Sequence, residues 1–108
     1  MPENNDVLLR AILAVSARQT FPIARLAEIV LTKGSGPKQL RAFNMCDGTK
    51  PQGEIAKALR LDAGNFSRTV GRWVEAGVVI RLGEGREAKL LHVYPLPVGA
   101  AKMREHAN

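Results

Sequence analysis

At 108 residues the chain is one domain, long enough for a modest core that every element must share. Its 45 % hydrophobic content speaks against wholesale disorder, and no apolar run approaches the roughly 18 residues that cross a bilayer. Lys and Arg number 16 against 10 Asp and Glu, leaving net +6 and a pI near 10.1, a surplus that favours polyanions: nucleic acid first, an acidic membrane surface or acidic protein second.

Asn4, Asn5 and Asp6 offer N-cap side chains before Val7, Leu8, Ala11, Ile12 and Val15, whose helical spacing predicts a first helix to about Arg18. Pro22 suits the first turn of a second helix carrying Ile23, Leu26, Ala27, Val30 and Leu31. Lys33-Gly-Ser-Gly-Pro37 stops it and opens a third, from about Pro37 to Cys46, with Leu40 and Phe43 inward. Asp47-Gly48 reads as a turn and Thr49 as the cap of a fourth helix, with Pro51 near its start and Ile55, Ala56 and Leu59 inward. Leu59-Arg-Leu61 turns the chain. Asp62 then caps a fifth helix, whose buried stripe is Phe66, Val70 and Trp73, with Gly77 just past its end.

Beyond Gly77 the period changes. Val78–Leu82 and Lys89–Tyr94 read as strands around a glycine-rich tip, Gly83-Glu-Gly-Arg-Glu87, and Pro95 and Pro97 end the second. Residues 98–108 form a tail or short helix. The fold class is therefore mainly α with a small β-hairpin, an α+β chain with extra helices at its N-terminus.

Helices, a tight turn and then a hairpin follow the order of a winged helix-turn-helix. From Leu40 through Tyr94 the chain resembles winged-helix regulators of the MarR and ArsR type. The resemblance rests on Leu40-Arg-Ala-Phe-Asn-Met-Cys-Asp-Gly48, Glu54-Ile-Ala-Lys-Ala-Leu59, Phe66-Ser-Arg-Thr-Val70 and Trp73-Val-Glu-Ala-Gly-Val-Val79, about half the chain. One position departs from it: Arg60 stands where such proteins usually carry Gly, because the backbone there favours positive φ. An arginine adopts that conformation at a cost of roughly 1–2 kcal/mol.

The residues support the same assignment directly. Ala56 lets two helices approach closely, and burying Phe66, Val70 and Trp73 turns Gly64, Asn65, Ser67, Arg68, Gly71 and Arg72 outward. Ser and Asn hydrogen-bond bases or phosphates, and Arg grips guanine bidentately, worth about 1–3 kcal/mol of discrimination. Glycine costs a helix roughly 1 kcal/mol against Ala, so Gly64 and Gly71 suggest that something comes close to the backbone. In the hairpin, Arg81, Arg86 and Lys89 surround the tip; Glu84 and Glu87 dilute the charge, which ranks Arg86 first as a wing contact.

The expected function is a sequence-specific regulator of transcription that binds double-stranded DNA, a dimeric repressor with residues 62–76 as recognition helix and 78–94 as wing. Ser67 and Arg68 read base edges with Asn65 assisting; Gly64 admits close approach; Thr49, Lys50, Gln52, Arg60 and Arg72 hold phosphates; Arg86 serves the wing. Residues 1–36 supply packing or dimerisation through the wide stripe Leu8, Leu9, Ile12, Leu13 and Val15, or pack only within the chain. Residues 37–97 make the DNA-binding unit. Two rivals use the same fold: an adaptor docking an acidic protein, and an RNA binder, which the scarcity of exposed aromatics disfavours.

Catalysis finds little support. His92 and His106 are the only histidines, with no metal-ligand spacing around them, and Gly34-Ser-Gly36 lacks the context of a phosphate loop, so no metal, cofactor or catalytic residue is expected. Cys46, the lone cysteine, excludes an intramolecular disulfide and fits a reducing, cytoplasmic setting. It reads as a core residue or, less readily, a sensor. The N-terminus lacks a signal peptide's basic start. Effector-binding residues are not identifiable from the sequence.

Overall fold

A computed structural model describes residues 2–31 and 36–99, with the side chains of 2–6 left aside. In chain order the elements are helix α1 (Pro2–Thr20), α2 (Ile23–Val30), α3 (Pro37–Asn44), strand β1 (Asp47–Pro51), α4 (Gln52–Leu59), α5 (Ala63–Glu75), and strands β2 (Val79–Leu82) and β3 (Lys89–His92). Any helix over residues 100–108 falls outside the described residues.

The core is built from the predicted inner faces. Leu26, Ala27 and Val30 of α2, Leu40, Ala42 and Phe43 of α3, Ile55 and Ala56 of α4, and Phe66, Val70 and Trp73 of α5 are all buried. Trp73 is the hub. Phe43 meets its ring edge-on at 5.4 Å and Phe66 at 6.0 Å, the geometry that aromatic quadrupoles favour.

Four expectations are corrected. Asp47-Gly48 and Thr49 make neither a turn nor a helix cap: they lie in β1, which pairs antiparallel with β3 (Asp47 opposite Leu91, Pro51 opposite Lys89). The sheet is thus three-stranded, in the order β1-β3-β2, and α4 starts from Pro51 without a side-chain cap. The third helix stops at Asn44, short of Cys46, because the chain must turn there to enter that strand. The first helix begins at Pro2, ahead of the Asn4–Asp6 caps, where proline's fixed φ suits an opening turn. β3 ends at His92, two residues before the expected Tyr94.

The result is a winged helix-turn-helix: α3, β1, α4 and α5 followed by the β2–β3 hairpin, with α1 and α2 added before it. Asn44 ties the segment beyond β3 to α3, accepting the Leu96 N–H and donating to the Leu96 carbonyl, both at 2.8 Å.

The orientation of α1 matters for function. Among its described side chains only Ala17 is buried, with Leu13 and Ala14 half-buried and packed against the core. Val7, Leu8, Leu9, Ile12 and Val15 face outward at 56–68 % exposure. Of the wide apolar stripe, then, only Leu13 turns toward the chain's own core. The helix is held at two places. Arg18 stacks over the Tyr94 ring at 4.6 Å, while the Tyr94 hydroxyl donates to the Phe21 carbonyl. Nearer the N-terminus the Arg10 guanidinium rests on Gly48, where a Cβ would lie 3.0 Å from its Nη2; φ +88° there also demands glycine. Among the described residues no single helix is long and apolar enough to cross a membrane.

Candidate nucleic-acid interface

The candidate interface starts with the turn between α4 and α5. Arg60 ends α4 in the left-handed region (φ 54°, ψ 47°), the one non-glycine residue of positive φ among those described. Around it the Leu61 N–H reaches the Ala56 carbonyl at 2.8 Å and the Arg60 N–H reaches that of Lys57 at 3.3 Å. That pair of bonds is a Schellman closure, normally built on glycine. The expected strain at Arg60 is present, and its side chain is exposed. Asp62 then caps α5 as predicted, its carboxylate accepting the Asn65 N–H at 2.8 Å. A second Schellman closure ends α5 at Gly77 (φ +83°): the Val78 N–H bonds the Trp73 carbonyl and the Gly77 N–H that of Val74, both at 3.0 Å.

Between these closures the orientation of α5 is fixed. With Phe66, Val70 and Trp73 inward, Gly64, Asn65, Ser67, Arg68 and Arg72 are exposed and Gly71 is half-exposed. A Cβ at Gly64 would meet only the Asp62 carboxylate, at an ordinary 3.5 Å, and at Gly71 nothing, so packing within the chain requires neither glycine. The outward side chains are linked. Arg68 Nη2 donates to Asn65 Oδ1 at 2.5 Å, the Thr69 hydroxyl donates to the Asn65 carbonyl at 3.1 Å, and Arg72 Nη2 lies 3.5 Å from the Thr69 hydroxyl.

The other predicted contacts divide. Gln52 opens α4, half-buried, where β1 meets the start of β3, and the wing tip folds back beside α4 as a short 3-10 turn, Gly85–Glu87, carrying the exposed Arg86. Gln52 and Arg86 therefore sit at one end of the surface. Thr49 and Lys50 gather instead around Asp47: the Thr49 hydroxyl and N–H and the Lys50 ammonium (3.1 Å) all donate to its carboxylate. Burial works to raise the Asp47 pKa, but these hydrogen bonds and the Lys50 charge outweigh it and hold the carboxyl below its ordinary value. A phosphate would have to compete with Asp47 for either side chain.

Among the described residues, ion pairs occupy only Arg25 with Glu28 and Lys50 with Asp47. Arg60, Arg68, Arg72 and Arg86 have no acidic partner among the described residues, an arrangement suited to an external anion. Sequence reasoning passed over Lys57, exposed in the last turn of α4, and Thr69, half-buried beneath Arg72. Both were findable: Lys57 as a basic residue three before Arg60, and Thr69 as standing to Arg72 as Asn65 stands to Arg68.

His92 and Cys46 lie behind this surface. Cys46 is buried, its thiol directed at the Ala42 carbonyl at 3.3 Å, and burial pushes its pKa up to about 12. His92 is buried against Phe43, with Nδ1 2.8 Å from the Phe43 carbonyl and its backbone N–H on the Cys46 carbonyl at 2.7 Å. Each side chain bonds a backbone carbonyl of α3 from within the core.

The chain matches no protein-family model and no curated protein. It is similar in structure to a multiple antibiotic-resistance repressor (MarR) from Listeria monocytogenes 4b F2365, with 17 % identity and a TM-score of 0.44, the alignment covering 98 % of this chain and 70 % of the other. A likeness that low does not bear on function, and the fold assignment rests on the chain's own topology.

Proposed function

We propose that this protein is a dimeric, sequence-specific repressor that binds double-stranded DNA, with residues 62–76 as its recognition helix and 78–94 as its wing. One observation carries the reading: α5 turns its aromatic stripe into the core and presents Asn65, Ser67, Arg68 and Arg72 to solvent, its arginines without an acidic partner among the described residues. A helix of that character, projecting from a compact turn, is suited to the major groove. In this reading Ser67 and Arg68 meet base edges and Gly64 admits the duplex close to the backbone. Gln52, Arg60 and Arg72 hold phosphates, with Thr49 and Lys50 after release from Asp47, and Arg86 follows the backbone or minor groove.

The division of the chain follows from this. Residues 37–97 form the reading unit and 1–36 the dimerisation arm, whose outward Leu8, Ile12 and Val15 a second copy would cover. A symmetric dimer sets two recognition helices about one turn of DNA apart, on a pseudo-palindrome. Occupying such a site in a promoter excludes polymerase without any chemistry on the DNA.

The test is a mobility shift on a randomised duplex pool, followed by footprinting of the selected sequence. Arg68→Ala is expected to relax preference at one base position. Arg86→Ala weakens binding to cognate and random duplex alike and lowers the salt slope by about 0.9. Equal loss on both duplexes for Arg68→Ala would remove that residue from base reading. Capture of an acidic protein with no shift on any duplex would replace the DNA reading with the adaptor one.

A further inference from the structure

On the exposed face of α5 the side chains are not independent. Asn65 is engaged three ways: its N–H on the Asp62 carboxylate at 2.8 Å, its carbonyl under the Thr69 hydroxyl at 3.1 Å, and its side-chain oxygen under Arg68 Nη2 at 2.5 Å. The only acceptor that its side chain owns is therefore already committed to a guanidinium. An arginine side chain is rich in rotamers, and a planar donor fork held in place before binding loses less of that freedom on meeting a ligand. Arg68 has no acidic residue to hold it among those described; its guanidinium bonds Asn65. Asp62 in turn fixes the Asn65 backbone at the first turn of the helix, so the arginine is anchored through the cap.

We infer that Asn65 is a positioning residue: it sets the direction of the Arg68 guanidinium, and the base preference of α5 at that point belongs to Arg68 acting through it. This rests on the DNA reading above and revises one role within it, since Asn65 then reads no base of its own. A guanidinium whose direction is set recognises one step of the groove, whereas an untethered one samples neighbouring phosphates and reads sequence poorly. The tether thus converts a generic cation into a selective one without adding any contact to the DNA.

The distinction is measurable in a double-mutant cycle on the full chain, using a randomised duplex pool of about two helical turns and scoring preference base by base. Asn65→Ala is expected to relax the same base position as Arg68→Ala, by about tenfold. The double variant should then lose no more than Arg68→Ala alone. Asn65→Asp keeps the acceptor. It should keep the preference at that position while weakening binding to every duplex through its added charge.

Asn65 is exposed, so the variants should fold, and thermal melts check that each does. If Asn65→Ala relaxes a different base, or its loss adds in full to that of Arg68→Ala, Asn65 reads DNA directly and the inference fails while the DNA reading stands. A lower melting midpoint with unchanged base preference makes Asn65 merely structural and likewise overturns it. A wild-type chain selecting no duplex overturns the DNA reading, and the inference with it.

Discussion

Replacing Arg60 with glycine should stabilise this protein and weaken its hold on DNA at the same time. Arg60 is locked at φ 54° by the two hydrogen bonds that close α4, and a side chain in that region costs roughly 1–2 kcal/mol. Glycine removes the strain but adds freedom to the unfolded chain, a penalty of about 0.4–1 kcal/mol. The net gain spans about 0–1.6 kcal/mol with a midpoint of about 0.8 kcal/mol, or roughly 3–6 °C in Tm at that midpoint for a domain of this size. Arg60→Ala is the necessary comparison, since it keeps the Cβ and hence the strain, and its Tm should stay close to that of the parent. Both variants delete the same cation, so both should lower the salt slope of DNA binding by about 0.9 if Arg60 neutralises one phosphate. Calorimetry or thermal circular dichroism gives the first quantity, and titration of labelled duplex at several salt concentrations gives the second. An Arg60→Gly protein no more stable than Arg60→Ala would refute the strain argument. Unchanged salt slopes would take Arg60 out of the interface and leave the strained arginine unexplained.

Other expectations can be checked alongside. His92 is held neutral: burial, reinforced by the Arg10 charge, lowers its pKa below 6.5, against the opposing influence of the Phe43 carbonyl and Asp47. Its contribution to stability is therefore complete above the unfolded value and drains away as pH falls from there through the folded value. Tm should drop as pH falls below about 6.5, and His92→Asn, which keeps a donor toward the Phe43 carbonyl, should flatten that drop. Ile12→Glu places a charge on the outward face of α1, where the parent residue is exposed; sedimentation should find a folded monomer, and an unchanged dimer would locate the interface elsewhere. Gly64→Ala should raise helix stability by up to about 1 kcal/mol, as the methyl would meet only the Asp62 carboxylate among the described residues, at an ordinary 3.5 Å. If the duplex approaches the backbone there, affinity falls in the same variant.

The elements differ in how far local sequence decides them. α5 was legible from end to end because a cap, an i, i+4, i+7 stripe and a terminal glycine agree, and the left-handed turn at Arg60 followed from the resemblance, which puts glycine at that place. β1 was not. Asp47, Gly48, Thr49 and Pro51 are turn and cap residues in isolation, and only the β3 backbone alongside makes a strand of them. The facing of α1 was hidden for another reason: it has apolar side chains on several sides, and the small Leu13-Ala14 and Ala17 side was selected over the larger Leu8, Ile12 and Val15 side. At the interface, the outward set was readable from the buried stripe. The coupling of Asn65 to Arg68 was visible only as a spacing of three, and nothing in the sequence said that the two bond to each other before meeting a base.

The sealed thiol of Cys46 has a practical corollary. With no accessible surface and almost no thiolate near neutral pH, it should ignore maleimides and disulfide reagents for as long as the protein stays closed. A cysteine engineered at Ser67 or on the wing would then take a fluorophore or spin label alone, with the native residue left in place. Under mild denaturant the slow appearance of a second labelled site would act as a clock, timing how often the interior opens to solvent.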